Sequence, residues 1–199
     1  MSFQTILDIH QSFSVNNRRT IGQTYSRSGQ ITVAQYLTSV PWIFTVTPHQ
    51  YLSYADSRAI IQSIDNADRQ NPQYITFDTD QLKWFTQMRG TATSATLTVT
   101  PAPNAQTLNL ASNGNYKAGD FIQLNGYVYK VTANSSGSVV NIHRPVIGSP
   151  TAGMSLTLGE NVQFYVVAEQ CPTYTLTPMA NTAYVEWDGD FVFREYITG

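Results

Sequence analysis

The run Phe121-Ile-Gln-Leu-Asn125-Gly126-Tyr127-Val-Tyr-Lys-Val131 sets an Asn-Gly pair between two segments rich in apolar and β-branched residues. Asn-Gly takes the positive φ angles of a type I′ turn at little cost, and that turn has the twist that joins two antiparallel strands. The segment therefore predicts a β-hairpin. The same pattern recurs at Tyr184-Val-Glu-Trp187-Asp188-Gly189-Asp190-Phe-Val-Phe193, where Asp-Gly separates two aromatic, β-branched runs and predicts a second hairpin. A chain punctuated in this way is mainly β.

Further strand patterns lie at Ile31–Tyr36, Trp42–Val46, Tyr74–Phe77 and Val162–Val167. Residues 10–30 are polar and follow neither the strand nor the helix period, so they read as an extended arm or long loop. One helix is predicted. Ser53 and Asp56 resemble a capping box, and Ile60, Ile61, Ile64 and Ala67 fall on one helical face, which gives a helix over about 54–67 whose stripe covers a sheet. It ends before Asn71-Pro72. At Thr91 the composition shifts to a Thr/Ser/Ala-rich run closing at Pro103, and short segments punctuated by glycine continue to Gly159. The expected organisation is one β domain made of residues 1–90 plus 160–199, carrying an inserted small β-barrel or sandwich module at 91–159.

Composition narrows the chemistry. Charged residues make up 12% of the 199, against about 25% in an ordinary domain. The net charge of −2 is neither a basic nucleic-acid footprint nor an acidic tail. Eight of the 11 basic residues are Arg, whose planar fork suits partly dehydrated contacts. The one cysteine, Cys171, excludes an intrachain disulfide and reads as a small buried packing residue. His10, His49 and His143 show no metal-ligand spacing, and Asp188-Gly189-Asp190 runs into Phe191 without the further oxygen ligands of a calcium loop. Asp120, Glu160, Glu169, Glu186 and Glu195 supply carboxylates, but none sits in a catalytic motif, and the chain has no nucleophile elbow or phosphate-binding glycine loop. The expectation is a protein that is not an enzyme, with no catalytic, cofactor-binding or metal-binding residues and no cofactor. Residues 1–8 lack the basic stretch and apolar core of a secretory signal, and no segment has the length to cross a bilayer. Folding in a cytoplasm is expected, and Asn134-Ser135-Ser136 then reads as a loop.

The aromatic content, 12 Tyr, nine Phe and three Trp, leaves two uses on a β scaffold: stacking platforms or interfaces. Alternation places Phe191 and Phe193 on one strand face and Val192, Arg194 and Tyr196 on the other, so both faces carry apolar bulk. Such a strand calls for cover on each side, and a neighbouring subunit is one source of it.

Taken together, Val40-Pro41-Trp42, the helix around 58–67, the module holding Ala118-Gly119-Asp120-Phe-Ile-Gln-Leu and the terminal Val185-Glu-Trp-Asp-Gly-Asp-Phe-Val-Phe-Arg-Glu195 resemble tail-tip and baseplate proteins of tailed bacteriophages, in particular distal tail proteins and tube-end adaptor (ripcord) proteins. The likeness spans most of the chain after about residue 18. It implies a tail-tube-like β-sandwich or half-barrel whose sheet continues between copies in a homo-oligomeric ring, expected to be sixfold. The implied partners are the tail tube protein and the baseplate or hub proteins, with genome DNA passing through the channel unbound and no membrane involved. The implied location is the virion tail. The second reading is a virion carbohydrate-binding β module for host attachment, with 91–159 as its sugar-facing part. A third expectation concerns residues 16–30: too polar to order themselves, they would be held by a neighbouring subunit.

Overall fold

A computed structural model of the chain describes all residues except 1–2, 19–20, 26–27, 29–30, 36–39, 68–70, 80, 136–137 and 199, and only the backbone of 21–25, 31–35, 63, 66 and 67. The protein is mainly β, with 43% of residues in strands and 13% in helix. In chain order the first half comprises α1 (Gln4–Leu7), β1 (His10–Asn16), β2 (Ile21–Tyr25), β3 (Ile31–Gln35), β4 (Ile43–Pro48), β5 (Leu52–Ser53), α2 (Tyr54–Ala67), β6 (Gln73–Ile75) and β7 (Ala95–Leu97). There follow β8 (Thr107–Ser112), β9 (Phe121–Leu124), β10 (Tyr127–Lys130), β11 (Val139–Asn141) and β12 (Ser155–Leu158), then β13 (Phe164–Gln170), β14 (Thr173–Met179), β15 (Thr182–Asp188) and β16 (Phe191–Glu195). These elements form two compact units: Met1–Asn17, Pro41–Ile75 and Phe164–Thr198 in the first, Arg18–Val40 and Thr76–Gln163 in the second.

The first unit holds an antiparallel five-stranded sheet, β1-β4-β16-β13-β6, and a three-stranded one, β14-β15-β5. The strict alternation of β4, β13 and β16 turns Phe44, Val46, Phe164, Val166, Phe191 and Phe193 to a single buried face. Their rings interlock: Phe44 meets Phe164 edge-on at 4.9 Å, Trp42 meets Phe164 at 5.7 Å, and Phe3 beside α1 lies 5.1 Å from Phe193. Each buried ring contributes roughly 1.5–3 kcal/mol of transfer free energy. Trp187 of β15 packs 5.1 Å from Phe191 and so joins the two sheets. Helix α2 has the predicted bounds. The Ser53 hydroxyl accepts the Asp56 N–H at 3.2 Å and donates to its carboxylate, while Ile60 and Ile61 are buried where α2 packs on β5 and β15.

In the second unit a six-stranded antiparallel sheet runs β10-β9-β12-β7-β8-β11. Its ends meet through a Val131–Ile142 bridge, with His143 N–H donating to the Lys130 carbonyl and Thr132 N–H to that of Asn141, both at 3.0 Å. The sheet closes into a small barrel around Leu97, Leu108, Leu110, Ile122, Leu124, Tyr129, Val140 and Leu156. The predicted hairpin is its β9–β10 pair, with Asn125 at φ 53° and Gly126 at φ 82°. Two buried polar residues organise this unit. Asp120 accepts the backbone N–H groups of Arg89 at 2.7 Å, Gly90 at 3.1 Å and Lys117 at 2.7 Å. Arg144 donates to the carbonyls of Val40 at 2.9 Å and Val128 at 2.8 Å, with its guanidinium 5.3 Å from the Tyr129 ring centre.

Three expectations change. Residues 10–16 are not part of a loop: β1 is an edge strand on β4, and its polar outward positions, Ser12, Ser14 and Asn16, hide the period. The rest of the expected arm is a hairpin, β2 paired with β3 from Tyr25↔Ile31 to Ile21↔Gln35, with residues 19–20, 26–27 and 29–30 outside the described set. Asp188-Gly189 closes no hairpin. It carries the chain from the three-stranded sheet to the five-stranded one, with Gly189 at φ 110°, because β15 pairs with β14 and β16 pairs with β4 and β13. The composition break at Thr91 lies inside the second unit. Contacts there begin earlier, through Phe77, Phe85 and Phe121 with ring centres 5.0 Å apart in sequence, and these aromatics give no compositional contrast with the preceding strands.

Candidate functional site

β14 and β15 pair over their full length, from Thr173↔Asp188 to Met179↔Thr182, across a two-residue turn at Ala180-Asn181. Ala180 takes φ 50° there without glycine's freedom. All seven positions of β14 are exposed, among them Tyr174, Leu176 and, beside the tip, Met179 at 58%. β15 is anchored: Val185 and Trp187 are buried, and the Gln50 side chain accepts the Trp187 N–H at 2.8 Å and donates to its carbonyl at 3.0 Å. The far edge of β14 therefore projects unpaired backbone groups from a fixed support, about half of them turned away from β15. β14 carries no charge, and its sole interruption is Pro178 near the tip.

At the root of this hairpin lies a cleft of about 490 Å³. Helix α2 contributes Ile61, Ile64 and Asp65, the chain entering β14 contributes Cys171, Pro172 and Tyr174, and Trp187 completes the lining. Trp187 is 4% exposed, and its indole Nε1–H has no acceptor among the described residues. A buried donor of this kind costs about 1–3 kcal/mol when left unmet. Cys171 is half-buried on the cleft wall, not the fully packed residue expected, because β13 ends before it and Pro172 turns the chain outward.

A second exposed feature of the first unit is a row of tyrosines. Tyr74 and Tyr165 have ring centres 4.6 Å apart and Tyr165 and Tyr196 5.8 Å apart, the latter pair at 79°. Rings so inclined pack on one another and offer no flat platform. On the same strands Arg194 forks onto Glu169 with both bonds at 2.9 Å, and the guanidinium holds that carboxyl below the usual carboxylate range.

The candidate acids do not converge. Asp120 is consumed by three backbone donors, Glu195 is buried and accepts the Trp42 N–H at 3.1 Å, Glu169 is held by Arg194, and Glu160 and Glu186 are exposed. The histidines serve separate local bonds: His10 Nδ1 meets the Leu7 carbonyl, the His49 N–H donates to Ile9, and His143 Nδ1 accepts the Lys130 N–H. Among the described residues no three His, Cys, Asp or Glu side chains group as metal ligands, and no helix is long and apolar enough to cross a membrane. Reading the sequence missed the hairpin and its cleft, since Met179-Ala180-Asn181-Thr182 lacks a turn glycine. The signal that was present is a run of β-formers without a charge. No family model matches the chain, and no curated protein is significantly similar to it.

Proposed function

We propose that this protein is a structural component of a bacteriophage tail that forms a homo-oligomeric ring, joining the tail tube to the baseplate or tail-tip hub around a channel for the genome. The tail assignment rests on the sequence resemblance. The single observation that supports ring assembly is β14, a seven-residue, uncharged edge strand exposed at every position. Monomeric β proteins guard such edges with charges, bulges or covering segments, and an unguarded edge on a rigid hairpin is suited to receive a strand of another copy. β1, the outer strand of the five-stranded sheet, also has seven residues and no Asp, Glu, Lys or Arg. Two different outer strands on one chain, as ordered among the described residues, are suited to a head-to-tail contact, which closes into a ring when the rotation between copies permits.

The carbohydrate-binding reading finds no comparable support. Sugar platforms need exposed rings, and among the described residues of 91–159 the large exposed apolar side chains are Val99 and Val139, while Tyr116, Phe121 and Tyr129 are buried. The test is Thr175→Lys with Thr177→Lys on β14. The parent protein should grow in mass with concentration in sedimentation to a closed ring, and a label on it should fall at the tube end of the virion tail. The variant should stay monomeric with its melting curve within about 0.5 kcal/mol of the parent's. A parent monomeric at all concentrations, or a variant that assembles equally well, would refute the reading.

A further inference from the structure

We infer that His143 is a pH-sensitive latch on the barrel of the second unit, holding the seam between β10 and residues 141–143 closed while its ring is neutral and releasing it when the ring takes a proton. The inference does not depend on the ring reading. At the seam the six-stranded sheet meets itself: Thr132 N–H donates to the Asn141 carbonyl and His143 N–H to the Lys130 carbonyl, both at 3.0 Å, around the Val131–Ile142 bridge. In an antiparallel ladder the Lys130 N–H, on the same side as its carbonyl, would seek the carbonyl of His143. It meets the ring instead, and His143 Nδ1 accepts it at 3.0 Å. The chain leaves the ladder at Arg144-Pro145, where the guanidinium of Arg144 turns inward to the carbonyls of Val40 and Val128. A side-chain nitrogen thus stands in for the last backbone acceptor of the seam. Unlike a carbonyl, it can be protonated.

Accepting a backbone N–H fixes the tautomer, with Nδ1 bare and the proton on Nε2, an atom sealed from water. A proton added at Nδ1 sets two N–H groups against each other and deprives the Lys130 amide of its acceptor. The neighbours offer the new charge no relief. β10 brings the cation Lys130 and Tyr129, whose ring centre lies 6.5 Å from the imidazole and 5.3 Å from the Arg144 guanidinium. Beyond β10, Val131 N–H donates to the Asp120 carbonyl, but the Asp120 carboxylate is taken by the N–H groups of Arg89, Gly90 and Lys117. On the other side, Ala105 and Gln106 accept the N–H groups of Val146 and Ile142, and Thr107 pairs with Asn141; none of these three is ionisable. The unfolded chain takes up the proton in the ordinary imidazole range, near pH ~6.5, and the folded seam resists it. Stability from the latch is therefore whole above that range and lost as the pH falls below it, by about tenfold in the unfolding equilibrium per pH unit for one resisted proton.

Hydrogen exchange read by mass spectrometry on the full-length protein tests this, at about pH 7.5 and about pH 5.5 on either side of the imidazole range, with rates corrected for the intrinsic effect of pH. Protection of peptides covering 128–132 and 139–144 should fall about tenfold at the lower pH. In His143→Asn the side-chain oxygen takes the place of Nδ1 and does not titrate, so the seam should be equally protected at both pH values. His49→Asn, in the first unit, should behave as the parent does. Should His143→Asn fail to fold, nitrogen NMR of the parent decides: Nδ1 must be unprotonated at neutral pH, and its protonation must accompany the loss of seam protection. A parent seam equally protected at both pH values, a His143→Asn variant that keeps the parent's loss, or a ring protonated on Nδ1 at neutral pH overturns the inference.

Discussion

Asp120 shows how one side chain organises a stretch that lacks a regular ladder. Oδ1 takes the Arg89 N–H, Oδ2 takes those of Gly90 and Lys117, and a Cβ on Gly90 would stand 2.1 Å from the Asn115 carbonyl oxygen and 2.7 Å from Oδ2. The carboxylate, fully buried, replaces the strand partner these three donors would otherwise need. Asp120→Asn leaves one acceptor oxygen and turns an NH₂ toward backbone N–H groups. It should cost about 1–3 kcal/mol and lower the melting temperature of the second unit by several degrees in calorimetry, with the first unit unaffected. An unchanged melt would mean that water replaces the lost acceptor. Arg144 is the other residue of this kind, and neither role was legible in advance. Most of their partners are backbone atoms of residues remote in sequence, such as Arg89 for Asp120 and Val40 for Arg144, and a backbone partner leaves no trace in residue identity.

Elements were legible where local chemistry and tertiary pairing agree. Asn125-Gly126 meets the demand of its turn, and Ser53 with the isoleucine stripe set α2 from its first residue to its last. They were illegible where tertiary pairing prevails. Asp188-Gly189 has good hairpin chemistry, yet strand β16 finds its partners in β4 and β13 because Phe191 and Phe193 belong to that core. The β14–β15 turn is the reverse case, held by a seven-pair ladder in spite of Ala180 at φ 50°. Glycine removes the Cβ strain of that conformation, so Ala180→Gly should stabilise the hairpin by about 1 kcal/mol in denaturant unfolding, whereas a non-turn position would lose a similar amount. A destabilised Ala180→Gly would show that the ladder imposes no strain at the tip. The uncharged run at Thr173–Met179 marks a strand, but its exposure and the cleft beside it could not be read from sequence, because a run of β-formers is the same text whether it lies in a core or on an edge.

At the scale of the molecule, three tryptophans are divided between the two units: Trp42 and Trp187 are buried in the first, while Trp84, in the 3₁₀ turn Lys83–Phe85, is 64% exposed in the second. Indole emission moves to longer wavelength when water reaches a sheltered ring, and a ring already in water has little further to move. The protein thus carries a built-in optical reporter that sees one unit and is nearly blind to the other. Heat or denaturant should shift the emission only as the first unit opens, while far-ultraviolet circular dichroism follows the strands of both, and the two signals will part wherever the units differ in stability. Trp84→Phe should remove long-wavelength intensity from the folded protein and so enlarge the shift seen on unfolding; a shift that disappears with Trp84 would place the sheltered indole in the wrong unit.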